Sequence, residues 1–325
     1  QSPIAPGRLT LADMSNYQAK ELPAVCGPYR QYQICGMAPP SSGGVAIIQM
    51  LGQLEHFDIA QYSMNDPQFA HLFTQSSRLA FADRNRYIAD SSFVNVPTQG
   101  LIDKRYLAQR ASLINLDKDM GNAVAGDPEG SLSQADDNAY ELPSTSHISI
   151  VDEYGNAISM TTSVEMGFGS ALMVEGFILN NQLTDFSLDP KQNGLWVANR
   201  LEPGKRPRSS MAPMMVFNQD KGLKMVIGSP GGSRIINYVA QTMIAILDWQ
   251  LDPQSAINLP RITNRNQVTT LEKGTDLVKL KPALEEKGHK VVVRDLNSGI
   301  QAIVLSKGKL HGGADPRREG IAIGY

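Results

Sequence analysis

The sequence has two cysteines, almost no net charge, and no apolar run long enough to cross a bilayer. Each shortage closes off a class of function. With 30 Lys and Arg against 32 Asp and Glu the net charge is −2, so nothing favours nucleic acid or an anionic membrane surface as a partner. A spanning helix needs roughly 18 consecutive apolar residues, and no stretch approaches that. Five scattered histidines (His56, His71, His147, His289, His311) and two cysteines show no metal-ligand spacing. Neither a metal nor another cofactor is expected. Residues 1–10 carry no initiator Met, basic leader or apolar signal core, so the chain reads as a fragment or a processed product. What remains is ordinary globular composition, 42% hydrophobic over 325 residues, enough for a large core.

Cys26 and Cys35 flank Gly27–Ile34, a stretch able to form a short hairpin. A disulfide across it would fit an oxidising compartment, and two small buried thiols are the alternative. The first section is helical in pattern. Pro39-Pro40-Ser41-Ser42-Gly43-Gly44 launches a helix with Val45, Ile47, Ile48, Leu51 and Leu54 at helical spacing. A longer helix is expected over 67–87, with Phe69, Leu72, Phe73, Leu79 and Phe81 as its apolar stripe. Residues 117–144, rich in Asp, Gly, Ser and Asn, read as a flexible exposed linker. From Thr145 the pattern turns to strands, expected over 176–181, 209–217 and 223–229, followed by an apolar helix over 235–249.

Thr145 opens the most informative stretch. Thr145–Asp152 and Ala157–Val164 are two β-rich runs around a turn carrying Gly155-Asn156, the pattern of a hairpin. A three-residue loop centred on Tyr154 places position 145 opposite Ser163; a two-residue loop shifts this by one. Either register returns the Ser163 hydroxyl and the Glu165 carboxylate beside a threonine, and the irregular Glu141-Leu142-Pro143-Ser144 precedes it. That layout suits an N-terminal nucleophile freed by cutting the Ser144–Thr145 bond. Three later stretches carry further polar chemistry. Ser229–Arg234 sets Gly231-Gly232 at a helix start, where free N–H groups would face an anion or oxyanion, or simply form a tight turn. Asn180–Phe186 gathers amides and a carboxylate, a grouping that turn chemistry alone also produces. Gly204–Met211 joins a basic run to Ser209 and Ser210, which alone would suit a solvated loop.

Taken in order, Thr145-Ser146-His147, Asn180-Asn181-Gln182 with Asp185-Phe186-Ser187, Gly204-Lys205-Arg206-Pro207 with Ser209-Ser210-Met211, and Gly228–Arg234 resemble the small subunit of the gamma-glutamyltransferases, which are N-terminal nucleophile hydrolases. Gly313–Gly320, the terminal Gly324-Tyr325, and Pro39–Gly44 with Gln49-Met50-Leu51 are similar to that family as well. The resemblance covers essentially the whole chain. It implies an α+β fold, the αββα four-layer sandwich, with part of the large subunit missing. Residues 1–144 would be the end of the large subunit and 145–325 the small one, together one structural domain.

The resemblance also implies roles. Self-cleavage between Ser144 and Thr145 would leave Thr145 as nucleophile, activated by its own α-amine. Ser163 would steady it, and Gly231 and Gly232 would supply oxyanion donors. Glu165, Gln182 and Asp185 would grip the substrate's α-amino group, many members having Asn where Glu165 stands, and Ser209 and Ser210 would bind the α-carboxylate. The implied partners are a glutathione-like gamma-glutamyl donor and an amino acid, peptide or water acceptor, within a large/small subunit heterodimer in the periplasm or outside the cell. An arginine that the family uses on the carboxylate lies in the missing section. Residues 188–203, with Trp196, fall where some members carry a lid, a plain surface loop being the alternative. The rival functions are a glutaryl or cephalosporin-type acylase on the same scaffold, and a catalytically silent fragment. Gln182 and Asp185 favour a substrate with an α-amino group.

Overall fold

The computed structural model describes residues 8–137, 139 and 144–324. Strands β1 (Val25–Tyr29) and β2 (Tyr32–Gly36) pair antiparallel and set Cys26 opposite Cys35, which form a disulfide. Helix α1 (Gly43–Leu54) follows, apolar nearly all round and buried along its whole length. Helix α2 (Pro67–Tyr87) keeps the bounds its pattern predicts. Asp66 caps it by accepting from Gln68 N–H, and Pro67 fills a first-turn position where a missing N–H costs little. Strands β3 (Thr145–Val151) and β4 (Ala157–Ser163) make the expected hairpin. Then come β5 (Met214–Phe217), β6 (Leu223–Gly228), the buried helix α3 (Ile235–Leu247), β7 (Gln301–Ser306) and β8 (Lys309–Ala314).

A six-stranded antiparallel sheet, in the order β1-β2-β5-β6-β7-β8, divides the molecule. Strand alternation sorts its side chains. Ile34, Met214, Val216, Met225, Ile227, Ala302 and Val304 enter the apolar core shared with α1, α2 and α3. The intervening positions face the β3–β4 hairpin, which is tied down by hydroxyls: Ser159 Oγ donates to Ile227 O (3.1 Å) and Ser149 Oγ to Gln301 O (3.2 Å). The fold is therefore α+β: a helical layer, a full sheet, and two strands of a second sheet. On the far side of those two strands Ile148, Ile150, Ile158 and Met160 stand about half exposed.

Three expectations need correction. The segment after residue 117 lacks regular structure but is not a loose linker. Asp119 forms a buried ion pair with Arg78 (3.0 Å), Asp83 accepts from Gly126 N–H (2.8 Å), and Asp137 is buried. These contacts satisfy polar groups that a free linker would leave to water. Within 209–217 only the last four residues are strand, because Ser209 and Ser210 bond to the 40–42 turn and to α2 instead. Within 176–181 only Phe177–Ile178 pairs, with Met173–Val174.

Candidate active site

The β3–β4 register puts Thr145 directly opposite Ser163. Thr145 Oγ1 lies 3.4 Å from Ser163 Oγ, as a donor to it. The Ser163 hydroxyl donates in turn to the Ser144 carbonyl (2.6 Å) and accepts from Glu165 N–H (2.9 Å). One hydroxyl thus touches the candidate nucleophile and the carbonyl on the other side of the candidate scissile bond. Glu141, Leu142 and Pro143, expected to form the irregular approach, lie outside the described residues.

Glu165 leaves the strand with φ +75°, a conformation that costs a non-glycine residue strain and here turns its carboxylate inward. Asn181 holds that carboxylate through Nδ2 (2.7 Å) and accepts from Met166 N–H through Oδ1 (3.0 Å). The Asn180–Phe186 cluster forms a 3₁₀ turn over Gln182–Asp185, in which Gln182 Nε2 reaches Asp185 Oδ2 (3.4 Å). Asn199 Nδ2 binds the Asp185 carbonyl (2.8 Å) and the Asp137 carboxylate (2.8 Å), so the turn is fixed from behind.

Ser209 and Ser210 rest on a bed made by earlier parts of the chain. Ser42 donates to Ser209 O through both its N–H and its Oγ, each at 2.7 Å, and Ser209 N–H donates to Pro40 O (3.0 Å). Arg84, near the end of α2 and 3% exposed, donates from Nε to Ser42 Oγ (2.8 Å) and from Nη2 to Ser210 Oγ (2.5 Å). The basic run before these serines is not solvated. Lys205 donates to Ala198 O (2.7 Å), Arg206 pairs with Asp90 (3.2 Å), and Arg208 pairs with Asp137 (2.9 Å). Burial works to raise the Asp90 carboxyl, but the side-chain and backbone donors of Arg206 outweigh it and hold it down to about 2.

Gly231 (φ +138°) precedes and Gly232 (φ +60°) opens a 3₁₀ turn, Gly232–Arg234, that feeds α3. Both occupy backbone conformations that favour glycine. A Cβ on Gly231 would sit 2.8 Å from the Tyr238 ring.

Thr145, Ser163, Glu165, Gln182, Asp185, Ser209, Ser210 and Gly232 line one small cavity together with Met211 and Ile235. Gly231 does not line it. Ser163, Gln182, Asp185 and Ser209 also border an adjoining cleft of 1040 Å³ that reaches Tyr17, Lys20 and the disulfide at Cys35. None of residues 188–203 lines either space. They form a small hairpin with Trp196 between Lys191 and Arg200, and Val197 bridges to Ala135. Among the described residues no cluster of three or more His, Cys, Asp or Glu could hold a metal.

A model of the gamma-glutamyltranspeptidase family matches residues 4–325. The chain belongs to that family. It is 38% identical over 334 residues to a glutathione hydrolase proenzyme of Bacillus subtilis, covering 98% of this chain and 55% of that protein. Against the Escherichia coli glutathione hydrolase proenzyme it is 36% identical with the same coverages. It is also 33% identical to an acylase ACY 1 proenzyme of Pseudomonas, covering 98% of this chain and 54% of that one. Among solved structures it resembles the cephalosporin acylase of Bacillus halodurans, at TM-score 0.83 and 26% identity, over 97% of this chain and 55% of the other. This member of the gamma-glutamyltranspeptidase family thus spans about half the length of the relatives it matches.

Arg84, Ser42, Asn199 and Asp137 are the site-supporting residues that sequence reasoning missed. Arg84 left a signal. It falls one turn beyond Phe81, in register with the apolar stripe of α2, and a charge placed there needs a buried partner.

Proposed function

We propose that this chain carries the catalytic half of a gamma-glutamyl acyltransferase or hydrolase, acting on glutathione-like gamma-glutamyl amides. The carrying observation is the pairing of Thr145 with Ser163 at a cavity that two carboxylate residues, Glu165 and Asp185, and two serines, Ser209 and Ser210, also line. Such a cavity suits a ligand bearing both an ammonium and a carboxylate. Thr145 Oγ1 attacks the Ser144 carbonyl carbon and the acyl group shifts from nitrogen to oxygen. Water then hydrolyses the ester, leaving a carboxylate on Ser144 and a free amine on Thr145. While the bond is intact that nitrogen is an amide and cannot accept a proton. Once freed, with a pKa near ~8, it takes the hydroxyl proton as Thr145 attacks the donor's gamma-carbonyl. The proton passes to the leaving amine, and an acyl-enzyme remains until water or an acceptor amine resolves it.

Ser163 steadies the hydroxyl, Gly232 N–H and its neighbour Gly231 N–H receive the oxyanion, Glu165, Gln182 and Asp185 take the ammonium, and Ser209 and Ser210 take the carboxylate. The two pieces, 1–144 and 145–325, stay associated as a heterodimer, supported by the shared core and the shared sheet. An extracytoplasmic setting is supported by the Cys26–Cys35 disulfide. The glutaryl-acylase reading draws support from the two acylase relatives, but a glutaryl chain has no ammonium to set against Glu165 and Asp185. Intact mass and gamma-glutamyl-anilide turnover test the proposal together. Thr145→Ala is expected to give one uncut chain without activity, and a normally cut or active Thr145→Ala protein would refute it.

A further inference from the structure

We infer that Arg318 is a positioning residue for the freed Thr145 amine. It holds the carbonyl of Thr145 and sets a positive charge beside the nitrogen, so that more of the amine stands unprotonated, as a base, at neutral pH. The inference rests on the proposed gamma-glutamyl reading and names a residue outside the nucleophile, oxyanion, ammonium and carboxylate groups.

The turn that carries Arg318 is built from buried charge. Asp315, just after β8, pairs with Arg261 (3.2 Å), both fully buried, and accepts from Ser298 Oγ and Ile300 N–H. Arg317 joins Asp315 (3.0 Å) to Glu272 (2.6 Å). Those arginines and carboxylates are spent on one another, whereas Arg318 forms no ion pair among the described residues. Its N–H donates to Asp315 O (3.3 Å) and its Nε to Asn297 O (3.0 Å). Its stem passes Gly299 so closely that a Cβ there would sit 2.8 Å from Arg318 Cδ and 2.5 Å from Pro230. Held at these points, Arg318 aims Nη1 at Thr145 O, to which it donates at 3.4 Å.

That carbonyl belongs to the piece that keeps the nucleophile, so the contact outlasts a cut at Ser144–Thr145. A residue's own N and O are never more than about 3.6 Å apart, which places the α-nitrogen within about 7 Å of Nη1. A guanidinium is charged at every working pH. A fixed cation at that range disfavours a second one and lowers the amine from its ordinary value near ~8. The sign matters, because only the neutral amine can take the Thr145 hydroxyl proton. Other groups share the site. Glu165 and Asp185 line the cavity and favour the ammonium, as does the carboxylate that cleavage leaves on Ser144. His147, two residues along β3, is kept neutral by burial, which pushes it down to about 4. Glu319, beside Arg318 in the chain, is exposed. On the glycine-loop side, Arg234 and Arg318 both act on the Tyr238 phenol, which burial raises to about 12 against them. Whatever the sum of these fields, removing Arg318 changes it in one direction. Arg318 is half-buried, so water screens part of its charge, and an effective dielectric of about 40–80 gives a shift of about half to one pH unit.

The test is the pH profile of kcat/KM on a gamma-glutamyl anilide, which reads the amine in the free enzyme. Arg318→Gln should move the acid limb up by about half to one unit, while the alkaline plateau falls less than about threefold. Arg318→Lys keeps a cation there and should hold the limb within about 0.2 unit of wild type. Pulsed acetylation of the Thr145 amine at a series of pH values, read by mass spectrometry on the cut protein, should show the same shift without using turnover. A lowered plateau with an unmoved limb would make Arg318 a plain clamp on β3 and overturn the inference, as would equal limb shifts in the Gln and Lys variants. Should Arg318→Gln not fold, Arg318→Met, which keeps the stem against Pro230 and Gly299, decides by the same criterion. If the variant folds uncut, co-expression of 1–144 with 145–325 behind a removable leader exposes the amine for the same titration. A wild type that cuts itself but turns over no gamma-glutamyl anilide defeats the functional reading alone, and acetylation then decides for Arg318. A wild type that never exposes the amine defeats both.

Discussion

Asp185 is where a charge-specific reading is cheapest to check. It is 6% exposed, its carboxylate meets Gln182 Nε2, and its carbonyl is held by Asn199. The turn keeps its backbone anchor when the carboxylate is changed. A charge-assisted bond to the donor's ammonium is worth roughly 1.5–3 kcal/mol. Asp185→Ala should therefore lower kcat/KM about ten- to a hundredfold on a gamma-glutamyl anilide and change glutaryl anilide turnover little. Comparable losses on both donors would make Asp185 a residue that only orders its turn. The two glycines separate in a similar way. Gly232 lines the cavity, so a Cβ there should lower kcat by about 10²–10³ while costing roughly 1 kcal/mol of stability for its positive φ. Gly231 faces the Tyr238 ring, so Gly231→Ala should show its main effect in thermal melting. Single-turnover acylation beside melting curves checks both, and wild-type acylation by Gly232→Ala would return that residue to plain turn chemistry.

At the scale of elements, the β3–β4 hairpin was the most legible part of the chain. Period-two patterning and a Gly-Asn turn narrowed the register to two neighbouring choices, because register follows from loop length, and the structure takes the one that sets Thr145 against Ser163. The 67–87 helix was equally legible from its apolar residues at helical spacing, Phe69, Leu72, Phe73, Leu79 and Phe81, although Thr74–Arg78 between them are polar and buried as well. What stayed hidden depends on partners distant in sequence. Ser209–Pro213 looks like strand but spends its hydrogen bonds on the 40–42 turn, and residues 117–137 look like linker because their anchors are Arg78, Asp83 and Arg208. Local composition cannot report such contacts. The seat of the hairpin gives a further prediction. A Cβ on Gly228 would run into the His147 imidazole, which is packed between β3 and the main sheet and bonded to Thr161 Oγ1 (2.8 Å). Gly228→Ala should therefore cost about 1–3 kcal/mol, as overpacking does, and also slow acylation, since His147 and Thr145 share a strand face. Urea unfolding measures the first effect; an unchanged midpoint would mean that the hairpin does not need this close seat.

For the whole molecule the sharpest expectation concerns acid. Burial pushes His147 down to about 4 with no charged group opposing it. His289, far from the candidate site, is likewise pushed down to about 4, chiefly by burial, against the pull of the Asp119 charge. His71 is also lowered, again by burial first. His71 and His289 share a hydrogen bond between Nδ1 and Nε2 at 2.8 Å; Asn115 O meets the other end of the chain and Thr269 Oγ1 closes it at His289. Two neutral rings satisfy that chain with one proton between them, and a second proton would break it. Asp119, already paired with Arg78, lies 3.8 Å from His289 Nδ1 and favours an added charge there, but burial together with the Arg78 and Lys287 charges outweighs it. In the unfolded chain all three histidines take up protons near ~6.5. Between that value and about 4 the unfolded state therefore binds more protons, so stability must fall as pH falls through this window and level off below it. The Asp90–Arg206 pair runs on a separate scale. Its carboxyl is held down to about 2, so its contribution is present above the usual carboxylate range and is lost only as pH drops toward 2. Melting temperature followed from pH 7 to pH 4 should decline continuously, and His289→Gln should flatten part of that slope even if it lowers the starting value. A melting temperature constant across the window would mean that these rings are protonated or solvated in the folded protein, contrary to their burial.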